Sequence, residues 1–133
     1  MGDSVKWSPK FSVGHETIDQ QHKHLISLYN DCGQLIDNQD YEFQERFNKL
    51  LVNLIDYAQE HFKYEEKLML ACNYPNLDAH EKEHDEYISG LNKIVSDSLH
   101  GKIEINSLRY FLSKWLIDHI LESDMKYKNY IKK

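Results

Sequence analysis

Apolar residues recur along the chain at three- and four-residue intervals in four long runs, the spacing of one helix face. The first run, Ile18, Leu25, Tyr29, Cys32 and Ile36, predicts a helix starting at Thr17, where Thr17 and Gln20 are spaced as a capping box. After a polar break around residues 37–40, Phe43, Phe47, Leu50, Leu54, Ala58, Phe62, Met69 and Cys72 predict a second helix ending near Asn73, before Tyr74-Pro75. A third starts near Asn76 and carries Leu77, Tyr87, Leu91 and Ile94 as far as His100-Gly101, where the glycine suits a C-terminal stop. The fourth starts near Asn106 and carries Leu108, Phe111, Leu112, Trp115, Leu116, Ile120, Tyr127 and Ile131. Its last turns hold Lys126, Lys128, Lys132 and Lys133, which suit the negative end of a helix dipole. Short connections favour antiparallel neighbours, so the expected fold is all-α: an up-down-up-down four-helix bundle over residues 17–133, with residues 1–16 as an extended arm lying on it. Gly33 and Gly90 fall inside helices, where glycine weakens the local structure.

Composition narrows the partners. In 133 residues there are only 5 glycines and 2 prolines, which disfavours turn-rich β architectures, and the length suits a single domain over 1–133. With 22 acidic against 16 basic residues the net charge is −6, which argues against a nucleic-acid partner and gives no case for a membrane surface. No apolar run is long enough to span a bilayer and the first residues lack a secretory pattern, so a cytoplasmic location is expected; the chain is also expected to be a monomer. Cys32 and Cys72 form no CxxC pair and read as core side chains. The unusual count is histidine, with eight.

Several of these histidines interrupt the apolar stripes. His22 lies four residues after Ile18 and three before Leu25; His61 lies three after Ala58, with Glu65 four further on. His80 follows Leu77 by three, with His84 one turn later, and His119 follows Trp115 by four. Asp124 lies four after Ile120. In the expected topology the start of the first helix, the end of the second, the start of the third and the end of the fourth share one end of the bundle, so all seven groups converge near it. A lone core histidine is commonly just a hydrogen-bonded structural residue, and Glu65 could be a plain partner for His61. Seven such groups at one depth point instead to a metal site, because none is buried cheaply alone. Five imidazoles and two carboxylates exceed the needs of one ion; two ions sharing the carboxylates would use all seven. Nitrogen and oxygen donors suit iron, manganese or zinc. One spacing is awkward: His119 and Asp124 are five apart, about 140° around an ideal helix. They either straddle the core face or require a local distortion of the helix.

The motifs Asp19-Gln20-Gln21-His22, His61-Phe62-Lys63-Tyr64-Glu65-Glu66, His80-Glu81-Lys82-Glu83-His84 and His119-Ile120-Leu121-Glu122-Ser123-Asp124 closely resemble those of the hemerythrin family, specifically its stand-alone bacterial members. The resemblance covers nearly the whole chain, and the five-residue gap belongs to the family pattern. It implies an oxo- or hydroxo-bridged pair of non-haem iron ions that binds dioxygen reversibly. His80, His84 and His119 would hold one iron and His22 and His61 the other, with Glu65 and Asp124 bridging and the open position on the two-histidine iron. Leu25, Phe62, Trp115, Leu116 and Ile120 are the expected wall of a dry oxygen pocket, with Trp115 and Leu116 foremost. Tyr127 either hydrogen-bonds near the site or simply packs. His15, His24 and His100 read as surface residues.

The leading expectation is a non-enzymatic oxygen store or carrier that delivers to oxygen-consuming enzymes. The alternatives are an oxygen or redox sensor working through a partner protein, and a di-iron reductase of peroxide or nitric oxide. The glutamate-rich ligand set of ferritin-type oxidases is not matched by these seven groups, five of which are histidines.

Overall fold

The computed structural model describes residues 4–37, 41–100 and 105–131, without side-chain detail at Ile36, Asp37, Leu99 and Ile105. Residues 38–40, Gly101, Lys132 and Lys133, on which the polar break, the glycine stop and the terminal lysines were placed, lie outside it. The chain forms α1 (Glu16–Asp37), α2 (Phe43–Ala71), α3 (Leu77–Leu99) and a fourth rod beginning with α4 (Ile105–Leu112). The rod continues as π-helix over Ser113–Ile117 and again over Ile120–Asp124, then closes with a helical turn, Met125–Tyr127, and a 3₁₀ turn, Lys128–Tyr130. The four rods pack as a four-helix bundle with no strand among the described residues, as the periodicity predicts. No described helix is long and apolar enough to cross a membrane.

The start of α1 differs from the expected capping box. The helix begins at Glu16, so Thr17 sits exposed inside its first turn. The orphan donors are met from outside: the Ile18 amide donates to His15 Nδ1 at 3.3 Å, while Asp19 reaches back to accept from the Val13 amide at 2.9 Å. Ser12 Oγ also donates to Asp19, and Gly14 supports this tight entry with φ of 77°. His15 is therefore a helix cap rather than a bland surface residue. At the end of α2, Asn73 turns left-handed (φ 58°) and the Tyr74 amide donates to the Met69 carbonyl at 2.9 Å, a stop that precedes Pro75 as expected. His24 and His100 are exposed, and His100 Nδ1 hydrogen-bonds the Ser96 carbonyl at 2.8 Å.

The N-terminal arm is anchored by polar and apolar contacts. The Val5 amide donates to Asn30 Oδ1 at 2.8 Å and the Val5 carbonyl accepts from Asn30 Nδ2 at 2.9 Å, while Phe11 is buried in the core. That core has two parts. A long one, including Leu25, Leu54, Phe62, Leu91, Leu112, Leu116 and Ile120, fills most of the bundle. A short one of Val13, Ile18, Met69, Tyr74, Tyr127 and Ile131 closes one end. The inward-facing histidines lie between them.

The two helical glycines differ. A Cβ at Gly90 would fall on the Phe111 ring, whereas one at Gly33 would meet nothing nearer than Arg109 Nε at 4.0 Å. Gly90→Ala is therefore expected to destabilise the fold by about 1–2 kcal/mol, overpacking outweighing the better helix propensity. Gly33→Ala is expected to be neutral or to stabilise by up to about 1 kcal/mol. Chemical denaturation of both variants checks the pair; equal effects would mean that Phe111 yields freely.

Candidate metal centre

All seven residues singled out by the stripes are buried, from fully buried His22, Glu65 and Asp124 to His119 at 9% exposure. Their donor atoms fall into two overlapping groups. Glu65, His80, His84, His119 and Asp124 form one, and His22, His61, Glu65 and Asp124 the other; within each, the candidate ligand atoms lie within 4.8 Å of one another. Asp124 divides its oxygens between them: Oδ1 faces His80 Nε2 (2.9 Å) and His119 Nε2 (3.1 Å), and Oδ2 faces His22 Nε2 (3.0 Å). Glu65 Oε1 faces His61 Nε2 (3.4 Å) and His84 Nε2 (3.2 Å), and its Oε2 faces His22 Nε2 (3.4 Å).

The five-residue spacing is met by the backbone. A π-helical segment closes i to i+5 bonds, and the one over Ile120–Asp124 brings Asp124 round to the side of His119. Of the two options open from sequence, the structure takes the local distortion.

With Nε2 unprotonated these approaches are not hydrogen bonds. Eight buried nitrogen and oxygen atoms on six of the seven residues, among them Nε2 of His22, His80, His84 and His119 and both oxygens of Asp124, have no hydrogen-bond partner. Native interiors rarely leave such atoms orphaned, so a cluster of them whose lone pairs converge fits the donor set of bound cations.

The outer nitrogens, by contrast, are satisfied across helices. His61 Nδ1 donates to Gln21 Oε1 (2.6 Å), His84 Nδ1 to Glu66 Oε2 (2.8 Å) and His119 Nδ1 to Glu83 Oε1 (3.0 Å). Ser123 Oγ also donates to Glu83 (2.6 Å). Since these oxygens only accept, each ring carries a proton on Nδ1 and turns Nε2 inward. Tyr127, fully buried, donates to Glu65 Oε2 at 2.5 Å, which settles its expected role in favour of hydrogen bonding. The sequence reading gave Gln21, Glu66 and Glu83 no role. The only signal was adjacency: each neighbours a candidate ligand on its own helix, yet serves a histidine on the next one.

Among the expected pocket residues, Leu25, Phe62, Leu116 and Ile120 are buried in the long core and Trp115 is half-buried at its margin. Phe62 stands against the site, its ring stacked on His84 with centroids 3.8 Å apart and edge-on to Tyr87 at 5.4 Å. Trp115 packs on Phe111 at 6.2 Å. The emphasis thus moves from Trp115 to Phe62. On the opposite side the cover is Ile18, Met69, Tyr74 and Tyr127.

Electrostatics follow the carboxylates. Burial opposes charge on His22 and His119, but Asp124 and Glu65 beside them overcome it and raise their pKa values to about 9 and about 10. His84 is raised in the same way by Glu65 and Glu66. Burial lowers His61 to about 4. Burial also opposes the charge of Glu65 and Asp124, yet the surrounding imidazoles hold both below the usual carboxylate range. The hydrogen bond from His119 lowers Glu83 to about 2.

These shifts set a pH profile for the metal-free protein. The stabilisation from His22 and His119 is fully present below their unfolded value of 6.5 and is lost as pH rises through about 9 and 10. That from Glu65 and Asp124 is present above their ordinary values and is lost as pH falls, and His61 adds to the loss between 6.5 and about 4. Thermal unfolding of chelator-treated protein is expected to show a midpoint that falls on both sides of pH about 6.5. A flat profile from pH 6.5 to 10 would rule out charged imidazoles at His22 and His119 in the metal-free core.

A helical bundle whose core gathers five histidines and two carboxylates into two groups sharing both carboxylates defines a class, the all-α proteins whose facing helices supply the donors of a metal site. Residues 13–131 match the family model described as the hemerythrin HHE cation binding domain, and the chain belongs to the hemerythrin family. The chain is 30% identical over 128 residues to a bacteriohemerythrin of Clostridium acetobutylicum, covering 91% of this chain and 96% of that one. It is 32% identical over 122 residues to a hemerythrin-like protein of Naegleria gruberi, covering 92% and 89%. The crystal structure of a wild-type hemerythrin superposes with a TM-score of 0.84 at 27% identity, covering 94% of this chain and 95% of that one.

Proposed function

We propose that the protein binds dioxygen reversibly at a pair of non-haem iron ions and serves as an oxygen store or carrier rather than a catalyst. The observation that carries this reading is the pair of overlapping donor groups of unequal size, five residues and four, with convergent unpartnered atoms. His80, His84 and His119 would hold one ion, His22 and His61 the other, and Glu65 and Asp124 both. With fewer donors, the smaller set would leave its ion able to take an exogenous ligand. When bound, a ferrous pair supplies the electrons for reversible dioxygen binding.

The chain's own residues shape that chemistry. Gln21, Glu66 and Glu83 fix ring orientation and keep Nδ1 protonated on His61, His84 and His119. Tyr127 holds its proton toward Glu65 Oε2, which restrains that carboxylate in one orientation. Phe62 and the apolar residues of the long core keep water from the rings, favouring release of oxygen over irreversible oxidation. Both cysteines are free, as suits the reducing cytoplasm, where the recipient would be an oxygen-consuming enzyme.

The test is anaerobic loading with ferrous iron followed by air. Uptake of two irons per chain and a visible charge-transfer band that bleaches under argon are expected. A band that never reverses would displace the carrier in favour of a sensor or a reductase. His61→Ala is expected to abolish reversible oxygenation, because it halves the imidazole donors of the smaller group. Full retention would refute that placement.

A further inference from the structure

The two donor groups differ in what stands behind their histidines. In the larger group, His84 Nδ1 meets the Glu66 carboxylate and His119 Nδ1 meets the Glu83 carboxylate, itself braced by Ser123. In the smaller group, His61 Nδ1 meets the neutral amide oxygen of Gln21, and His22 Nδ1, fully buried, has no hydrogen-bond partner. A hydrogen bond to an anion is stronger than one to a neutral acceptor and pushes electron density into the ring, making its inner nitrogen the better donor. The three supports run in one direction round the bundle, from α1 to α2, from α2 to α3 and from α3 to the fourth rod.

We propose that Glu66, Glu83 and Gln21 are positioning residues that grade the donor strength of the two halves. The three-histidine half, with carboxylates behind His84 and His119, holds its ion firmly, and the two-histidine half, with only the Gln21 amide behind His61, holds its ion in labile fashion. This rests on the reading that the seven residues hold two ions, and it deepens it: the half with fewer donors is also the half with weaker donors. The lability of one ion is then set by Gln21 and not by ligand count alone.

Zinc is the probe, because it takes the same imidazole and carboxylate donors without redox chemistry. Protein loaded with zinc is mixed with excess chromogenic chelator and release is followed in time. The wild type is expected to release two ions per chain in two phases, with His61→Ala eliminating the fast phase and His119→Ala the slow one. Glu83→Gln keeps shape and acceptor but removes charge; it is expected to speed the slow phase by roughly 10- to 100-fold and leave the fast one unchanged. Glu66→Gln acts in the same sense. Gln21→Glu is expected to slow the fast phase by a similar factor, a gain that damage to packing cannot produce. Two ions released with phases insensitive to Glu83→Gln and Gln21→Glu, or with both phases shifted alike by Glu83→Gln, overturn the grading and leave the two-ion site standing. Uptake of fewer than two zinc ions by the wild type overturns both.

Discussion

Asp124→Ala is expected to reduce iron uptake from two ions per chain to less than one and to weaken the metal-free fold at the same time. Asp124 faces three histidines from three helices, with one oxygen toward His80 and His119 and the other toward His22. Removing it takes a donor from both groups at once, whereas loss of His61 affects only the smaller one. In the metal-free protein the change also leaves the raised imidazoles of His22 and His119 buried opposite one carboxylate fewer. Breaking a buried ion pair from one side costs about 3–5 kcal/mol. Metal analysis and denaturant unfolding of the apo forms measure the two effects separately. Asp124→Asn, which keeps the shape, should fall between wild type and alanine in apo stability while still losing metal. An alanine variant that retains two ions would contradict the sharing of Asp124.

Removing metal from the wild type is expected to lower the melting midpoint by more than about 10 °C. The buried cluster supplies the reason: without metal its inner nitrogens and oxygens either lack hydrogen bonds, at about 1–3 kcal/mol each, or must hold buried charge on the imidazoles. Cations satisfy them together, and ions that bind only the folded chain stabilise it by about 4 kcal/mol at a thousandfold excess over their dissociation constant. The comparison is made by calorimetry before and after chelation, with iron added back. Equal midpoints would mean that the metal-free core rearranges to pair its own polar atoms.

The stripes of the four helices were legible because a 3.6-residue period fixes which side chains share a face, whatever the rest of the protein does. His22, His61, Glu65, His80, His84, His119 and Asp124 stood out for the same reason, as polar groups on apolar faces. The start of α1 was read less well. Thr17 and Gln20 have capping-box spacing, but His15 and Asp19 take the role because Ser12, Val13 and Gly14 fold back onto the helix entry. A motif of four residues does not encode how the preceding arm lies. The sequence puts Trp115 and Leu116 foremost in the pocket wall; Leu116 is buried and Trp115 is half-buried, while Phe62, from α2, is the ring stacked on His84, a neighbour that proximity along one helix does not reveal.

The sequence by itself determined the four helices, the buried face of each, and the seven polar residues at a common depth, because those follow from local periodicity and chain order. Only the tertiary structure decided three things. It chose the π-helical turn over Ile120–Asp124, whose i to i+5 closure sets Asp124 beside His119. It set the division of Asp124 and Glu65 between two donor groups, which depends on how each helix is rotated about its own axis. It also assigned Gln21, Glu66 and Glu83 to histidines 40, 18 and 36 positions away in the chain. Hydrogen-bond partners across a bundle are fixed by the register of one helix against the next, which no repeat within a single helix records.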